Sequence, residues 1–463
     1  MLVGFAAVSI VTSVVSGLTG AIAMPADAQS ATVAPASHVA TLTSAPGSVG
    51  DAPASSGGSG ASGTSGASAA TGVLGSIQAV DPAALPGFLG AHTADLDRLL
   101  TAPPPAADVS TLWRLLDPAR QKALLQAAPH VVGNLEGIPY AVRGKANALD
   151  LSRTMSRAKE RLRSEHGKAE RVALKQQLTT LGNVAAALKK KDGVTRTLVS
   201  LDPSENAKAA IVVGDLSTAR FVSVLVPGMY MSVGEQIEAW AEVAQDLHDT
   251  ETGFLKRFLG PRSAGAAPGV AVVAWIGYQT PMLMNIGGMQ LAREGADSLE
   301  RTLQGIRAIR QDDPPYLSVF AHSYGSTAAL LALERHTVTV DALALMGSPG
   351  SDAQSVRDLA VRDGNVFVGE APMDPIVNSA FFGSDPGSPA YGAKPMGTQG
   401  AVDPITHRTL AGSSGHNEYF TAGTESVRNL ALIGIDQGRL VLGSSAGSPG
   451  SGDTPETSAA ASR

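Results

Sequence analysis

The sequence predicts an α/β protein: a mostly parallel, doubly wound sheet with helices on both faces, preceded by an N-terminal helical extension. Three observations predict the sheet. Seven short runs rich in β-branched and apolar residues succeed one another from RTLVSL (residues 196–201) to NVFVGE (residues 365–370), at the density expected of strands. The stretches MSVGEQIEAWAEVAQDLHDTETGFLKRFL and REGADSLERTLQGIRAIRQ, between the third and fifth runs, place apolar residues three and four apart, the period of a helix with one buried face. The third, fourth and fifth runs, FVSVLVPG, VAVVAWIGY and YLSVFA, are almost uninterruptedly apolar, as strands must be when helices cover both their faces.

At the N-terminus, residues 2–23 hold no charge, and small residues at Ala26 and Ala28 follow in the pattern that a signal peptidase cuts. Residues 1–28 are therefore read as a signal peptide, and the protein is expected to be secreted or held in the cell envelope. An N-terminal membrane anchor is the alternative, since no Lys or Arg precedes the apolar run. Eight Gly, Ser or Thr among residues 2–23 make that run weakly apolar for a permanent span.

Residues 29–72 are almost all Ala, Ser, Gly, Thr and Pro. Such a segment buries too little apolar surface to offset chain entropy, and a disordered linker is expected. Residues 443–463 have the same make-up and are expected to be a disordered tail. Residues 73–193 read as the helical extension, broken at Pro118 and at GNLEGIP (residues 133–139) and ending in one long helical stretch. The Arg and Lys residues between positions 153 and 175 are interspersed with Glu160, Glu165 and Glu170, the pattern of a solvated helix face.

Residues 194–442 read as the α/β domain. Within it, Ser232 and Glu235 have capping-box spacing at the start of the helix after the third run, and SVRNLALIGID reads as a closing helix. The net charge of −6 gives no electrostatic reason to expect nucleic acid as a partner. There is no cysteine, which excludes disulfides, thiolate metal ligands and a cysteine nucleophile. No metal-binding spacing such as HExxH is present, and no cofactor is expected.

The chemistry gathers at AHSYGS, where the fifth run turns into the helix STAALLALERH. A serine on so sharp a strand-to-helix corner adopts a strained backbone conformation, which lifts its hydroxyl above the sheet edge. The residues two before and two after it must be small, because strand and helix pass close there. Gly325 meets one requirement and Ala321, in place of the usual glycine, the other. Ser323 is the expected nucleophile.

A nucleophilic serine needs a base and a group that orients the base. On such a corner they follow in the order acid, then histidine, as in α/β hydrolases. Only His336, His407 and His416 come later. His336 ends the helix leaving the corner and points away. His416, in the glycine-rich GSSGHNEYF, is the expected base, with His407 as the alternative. Asp374, in VGEAPMDPI after the seventh run, is the expected acid, followed by Glu370 and Asp403. An oxyanion must be met by preorganised N–H groups: that of Tyr324, next to the nucleophile, and that of Met229, in the loop where Pro227 and Gly228 turn the chain. Met282, with Met284 and Met289, and Met229 with Met231, are candidates for an adaptable acyl pocket or for core packing; Tyr278 and Tyr324 are candidates for its edge.

The set VPGMYMS, AWIGYQTP, AHSYGS, GSPG, MDPI and GHNEYF, with GNLEGIP upstream, resembles a group of actinobacterial α/β hydrolases over residues 95–440. The resemblance implies the α/β-hydrolase fold and a triad of Ser323, Asp374 and His416, although no eighth strand is legible before the histidine. The expected function is cleavage of a small-molecule or lipid-like carboxylic ester by a serine hydrolase through an acyl-enzyme, in peripheral association with the envelope. Acyl transfer to a cell-envelope alcohol would use the same triad. A non-catalytic envelope-associated binding protein that keeps the fold is the reading from another class.

Overall fold

The computed structural model describes residues 64–164, 167–189, 193–260, 268–282 and 285–443. The expected signal peptide or anchor, most of the expected linker, Met284 and nearly all of the expected tail lie outside the described residues. Among the described residues, no helix is long and apolar enough to cross a membrane.

Eight of the described helices precede the first strand. The first, α1 (Thr64–Ala79), begins inside the stretch expected as linker. Alanine favours helix there, and Val73, Leu74 and Ile77 are buried. With α2 (Leu85–Ala91), α3 (Thr93–Thr101), α4 (Ala106–Leu115), α5 (Pro118–Ala127) and α6 (Pro129–Asn134) it encloses an apolar core of its own around Leu99, Trp113 and Leu135. Pro118 opens α5, where its missing N–H costs nothing, and the Asp117 side chain caps the helix through the N–H groups of Ala119 and Arg120.

The long stretch that periodicity reads as one helix is two, α7 (Tyr140–Arg163) and α8 (Lys168–Ala187), because the backbone is extended at Ser164 and Gly167. The basic residues expected on a solvated face lie beside acids: Arg163 pairs with Glu160 at 3.0 Å, and Arg161 pairs with Glu170, all of them exposed.

The strands are β1 (Arg196–Asp202), β2 (Lys208–Gly214), β3 (Phe221–Val226), β4 (Val270–Ile276), β5 (Tyr316–His322), β6 (Ala342–Met346), β7 (Val366–Gly369) and β8 (Lys394–Met396). They form one sheet in the order β1-β2-β4-β3-β5-β6-β7-β8. The strand β2 runs antiparallel to both neighbours, and all other pairs are parallel. Each of the seven runs is a strand; β8 is the strand that the sequence does not disclose.

Helix α9 (Val233–Leu259) joins β3 to β4, α10 (Gln290–Ile309) joins β4 to β5, α11 (Tyr324–Glu334) leaves β5, and α12 (Glu425–Gly434) closes the domain. Alternate residues along a strand face opposite sides. Val224, Val273 and Val319 thus pack with Leu299 of α10 and Leu330 of α11. Leu225, Val272 and Phe320 pack with Leu181 of α8, Ile237 of α9 and Leu432 of α12.

The box expected at the start of α9 does not form. Gln236 Oε1 accepts from the Ser232 backbone N–H at 2.8 Å and from its hydroxyl at 3.2 Å, and the Ser232 side chain caps no backbone group.

The GNLEGIP motif ties the extension to the sheet. The Asn134 amide donates to the Leu201 carbonyl at 2.9 Å and accepts from its N–H at 2.7 Å, standing in for a neighbouring strand along the β1 edge. Glu136 forms a two-point ion pair with the buried Arg143, whose Nε donates to the Gly133 carbonyl at 3.1 Å.

Candidate active site

The strand order reverses around β3 and β5, which places a crevice at their carboxyl ends. There Ala321 pairs with Val226 of β3 and Leu345 of β6, and His322 pairs with Met346. Ser323 follows at φ 54 and ψ −133, a strained conformation for any residue but glycine. It is held by its N–H on the Met346 carbonyl (2.9 Å) and by Ser326, whose N–H and hydroxyl reach the Ser323 carbonyl at 2.8 and 2.5 Å. Alanine at 321 is accommodated because its methyl joins the core beside Val226 and Leu345. The close approach falls instead at Gly325, where a Cβ would strike the Pro227 carbonyl oxygen, and at Gly228, where one would stand 2.6 Å from Ser323 Cβ.

The structure brings Ser323, His416 and Asp374 together. His416 Nε2 lies 2.7 Å from Ser323 Oγ, and its Nδ1 lies 2.8 Å from Asp374 Oδ1. An ionised carboxylate only accepts, so Nδ1 carries the proton and Nε2 is left to accept from the serine hydroxyl. The Asp374 side chain is wholly enclosed. Burial pushes its carboxyl up. The hydrogen bonds from His416 and from the Tyr419 hydroxyl (2.6 Å), the nearby His416 ring and the Ile376 N–H (2.8 Å) outweigh that and hold it below the usual carboxylate range. Room for the pair comes from Gly347 at φ 54, where a Cβ would collide with Asp374 Oδ2 and stand 3.0 Å from His416 Nδ1.

The loop after β3 lies against the same corner and is braced along its length. The Tyr278 hydroxyl donates to the Pro227 carbonyl at 2.7 Å, the Tyr230 N–H to the Pro281 carbonyl at 3.0 Å, and the Met231 N–H to Thr280 Oγ1 at 3.0 Å. Among the described residues, nothing accepts from the backbone N–H groups of Met229 and Tyr324.

Other expected positions fall elsewhere. Tyr278 does not edge a pocket: it is buried against Trp275 and clamps the Pro227 turn. The Tyr324 phenol is buried too, donating to the Gly288 carbonyl at 2.5 Å and accepting from the Ala292 N–H at 2.9 Å. Met282 is 61% exposed. His407 is exposed on its own turn. Asp403 is buried in an ion pair with Arg428 at 3.0 Å, and Glu370 makes no hydrogen bond to His416 among the described residues. An open polar cleft of about 450 Å³, lined by Arg220, Tyr316, Asp341 and Lys394, sits at the opposite ends of the strands and holds none of these groups.

Sequence reasoning missed two supports of the site. Tyr419 lies three residues beyond His416 in the same GHNEY segment; its hydroxyl, besides reaching Asp374, accepts from the Ala371 N–H at 2.8 Å. His322 sits directly before the nucleophile, and its Nε2 is 2.6 Å from the His416 carbonyl oxygen.

Strand order, a serine on the corner after β5, a carboxylate after β7 and a histidine after β8 occur together in one architecture. This is the α/β-hydrolase fold. Residues 202–384 of the α/β-hydrolase domain match a family described as alpha/beta hydrolase. The chain is similar to uncharacterized protein Rv2079 of Mycobacterium tuberculosis, at 26% identity over 386 residues covering 73% of this chain and 57% of the relative. It is also similar to uncharacterized protein Rv0963c of the same organism, at 28% identity over 219 residues, 46% of this chain and 79% of that protein. The chain thus spans little more than half the length of the first of these relatives. Among solved structures, carboxyl esterase 2 of Tuber melanosporum is similar at 12% identity and a TM-score of 0.32, covering 55% of this chain and 89% of that one. An esterase of Pyrobaculum calidifontis is similar at 12% identity and a TM-score of 0.30, covering 59% and 96%.

Proposed function

We propose that this protein is a serine hydrolase that cleaves carboxylic esters through an acyl-enzyme. The observation that carries the reading is the unbroken chain from Ser323 Oγ through His416 to Asp374, at 2.7 and 2.8 Å, on a serine held at φ 54. Ser323 Oγ attacks the ester carbonyl while its proton passes to His416 Nε2. The N–H groups of Met229 and Tyr324 meet the oxyanion. His416 returns the proton to the departing alcohol, and Ser323 keeps the acyl group. Water, deprotonated by the same nitrogen, then releases the acid and restores the hydroxyl.

The loops carrying this chemistry also expose apolar side chains. Tyr230, Met373, which precedes Asp374, and Phe381 are each at least 45% exposed. That supports an ester with a lipid-like apolar part over a small polar one, acted on outside the cell or at its envelope as the leader-like N-terminus suggests.

The test is a fluorophosphonate probe together with nitrophenyl esters of short and long acyl chains. Wild-type protein should be labelled and should turn over the esters, and Ser323→Ala should do neither. Labelling that survives in Ser323→Ala, or no turnover of any ester by the wild type, would sink the reading. Product that appears only with an added alcohol acceptor would assign acyl transfer in place of hydrolysis.

A further inference from the structure

We propose that His322 is a positioning residue for the Ser323 reaction: its ring clamps the loop that carries His416 and stays uncharged while His416 takes the serine proton. The proposal rests on the triad reading above. His322 is the last residue of β5, which lies between β3 and β6, so its ring stands at the end of a central strand of the sheet. Its Nε2 is 2.6 Å from the His416 carbonyl oxygen. A carbonyl only accepts, so Nε2 bears the proton and the clamp needs an N–H donor at that position.

The contact reaches beyond His416. The His322 ring lies 4.7 Å from the His416 ring, 5.8 Å from that of Tyr419 and 6.3 Å from that of Phe420, centroid to centroid. One side chain therefore touches the base, the phenol that donates to Asp374, and the next residue of the same loop. On its other side, a Cβ at Gly228 would stand 3.2 Å from His322 Nδ1, so the turn before Met229 packs on it as well.

The charge requirement follows from the distance between the rings. During attack His416 becomes an imidazolium, and a second positive ring at 4.7 Å would oppose that step. The titratable groups facing His322 are His416, Asp374 and the Tyr419 hydroxyl. Burial first, and His416 second, push the His322 imidazole down to about 3, against the smaller upward pull of the His416 carbonyl and of Asp374. His322 is thus neutral wherever His416 can act as a base.

The experiment measures kcat, KM and the pH profile of the full chain with a soluble nitrophenyl ester, for wild type, His322→Gln and His322→Phe. The Phe variant keeps a ring and loses the donor, and should lower kcat about tenfold with KM little changed. The Gln variant keeps an N–H donor and should recover most of that loss. In the wild type, the acid limb of kcat/KM should follow a single proton. A two-proton acid limb, an unchanged kcat in the Phe variant, or a Gln variant as slow as the Phe variant would each overturn the proposal. The wild-type profile needs no variant and decides the charge question even if His322→Phe does not fold. Fluorophosphonate labelling separates the two readings. An unlabelled wild type removes the triad reading and this proposal with it; a labelled wild type matched in rate by His322→Phe removes this proposal alone.

Discussion

Two carboxyl groups are buried against the same sheet, and they stand in opposite charge states. Asp374, in the loop after β7, accepts from His416, from the Tyr419 hydroxyl and from the Ile376 N–H, and is held below the usual carboxylate range. Glu251, on α9, is fully buried beneath β3. Its Oε1 accepts from the Ser223 hydroxyl at 2.8 Å, and its Oε2 has no hydrogen-bond partner among the described residues. Burial pushes the Glu251 carboxyl up to about 8, and the single Ser223 bond pulls back only in part. Desolvation penalises the charged form at both positions. What separates them is the number of donors aimed at each: three keep Asp374 ionised, and one leaves Glu251 protonated at neutral pH. The charge that orients His416 is thus assembled from neighbouring groups, and burial alone would have removed it.

The most damaging break in this comparison is Asp374→Asn. The amide can still sit beside His416 Nδ1, but it stabilises neither the required tautomer nor the imidazolium, so kcat should fall about 10⁴-fold. Thermal unfolding should stay close to that of the wild type, because the amide fits the same space. Ester kinetics and a melting curve check both. A loss below about tenfold would mean that Asp374 is not the orienting acid, and Glu370 would take its place as the candidate.

Next in size is Glu251→Gln, read as stability against pH. Below 4.5, the ordinary glutamate value, folded and unfolded chains both hold the proton. Between there and about 8 the unfolded chain releases it while the folded chain keeps it, so stability falls as pH rises through that window and levels off above it. Glutamine carries no such proton. The wild type should lose several kcal/mol between mildly acid and mildly alkaline pH that the Gln variant keeps, while ester turnover by the two proteins is the same. Urea unfolding at the two pH values measures the difference; parallel losses in both proteins would show that Glu251 is not the buried acid responsible.

Both carboxyls belong to a fold whose frame was open to reading from the chain. The buried strands announce themselves as apolar runs, and a serine on the corner after the fifth dictates the order in which its partners must follow. That order left three histidines and a few acids to choose from, and the structure brings His416 and Asp374 to Ser323. The strand β8 was hidden because three residues with Pro395 at the centre carry no period, and its pairing with β7 depends on a long-range contact. Tyr278 was misplaced for a similar reason: the carbonyl it holds is 51 residues earlier, beyond anything that spacing reports. The Ser232 and Glu235 spacing was sound, yet Gln236, one residue further on, reached the N–H first. Local rules name residue types and intervals, whereas the partner of a buried polar atom is settled by packing between distant segments.

The finest test takes one donor from Asp374 and leaves everything else in place. Tyr419→Phe keeps the ring that packs beside His322 and removes the hydroxyl that donates to Asp374 at 2.6 Å and accepts from the Ala371 N–H at 2.8 Å. Asp374 is then left with His416 and the Ile376 N–H, a donor count between its own and that of Glu251, and its carboxyl should rise toward the usual carboxylate range. The sign follows from its depressed value in the folded protein: the ionised pairing is present above the ordinary aspartate value and is lost as pH falls through the folded one. With the phenol gone, that loss comes at higher pH. The pH at which Asp374 takes up its proton, followed by NMR of its side-chain carboxyl carbon, should therefore move upward, and kcat at neutral pH should fall by about tenfold or less, the worth of one hydrogen bond to a charged group. An Asp374 carboxyl that titrates where it did before would mean that Tyr419 only packs, and that counting donors does not account for why one buried carboxyl is charged and the other is not.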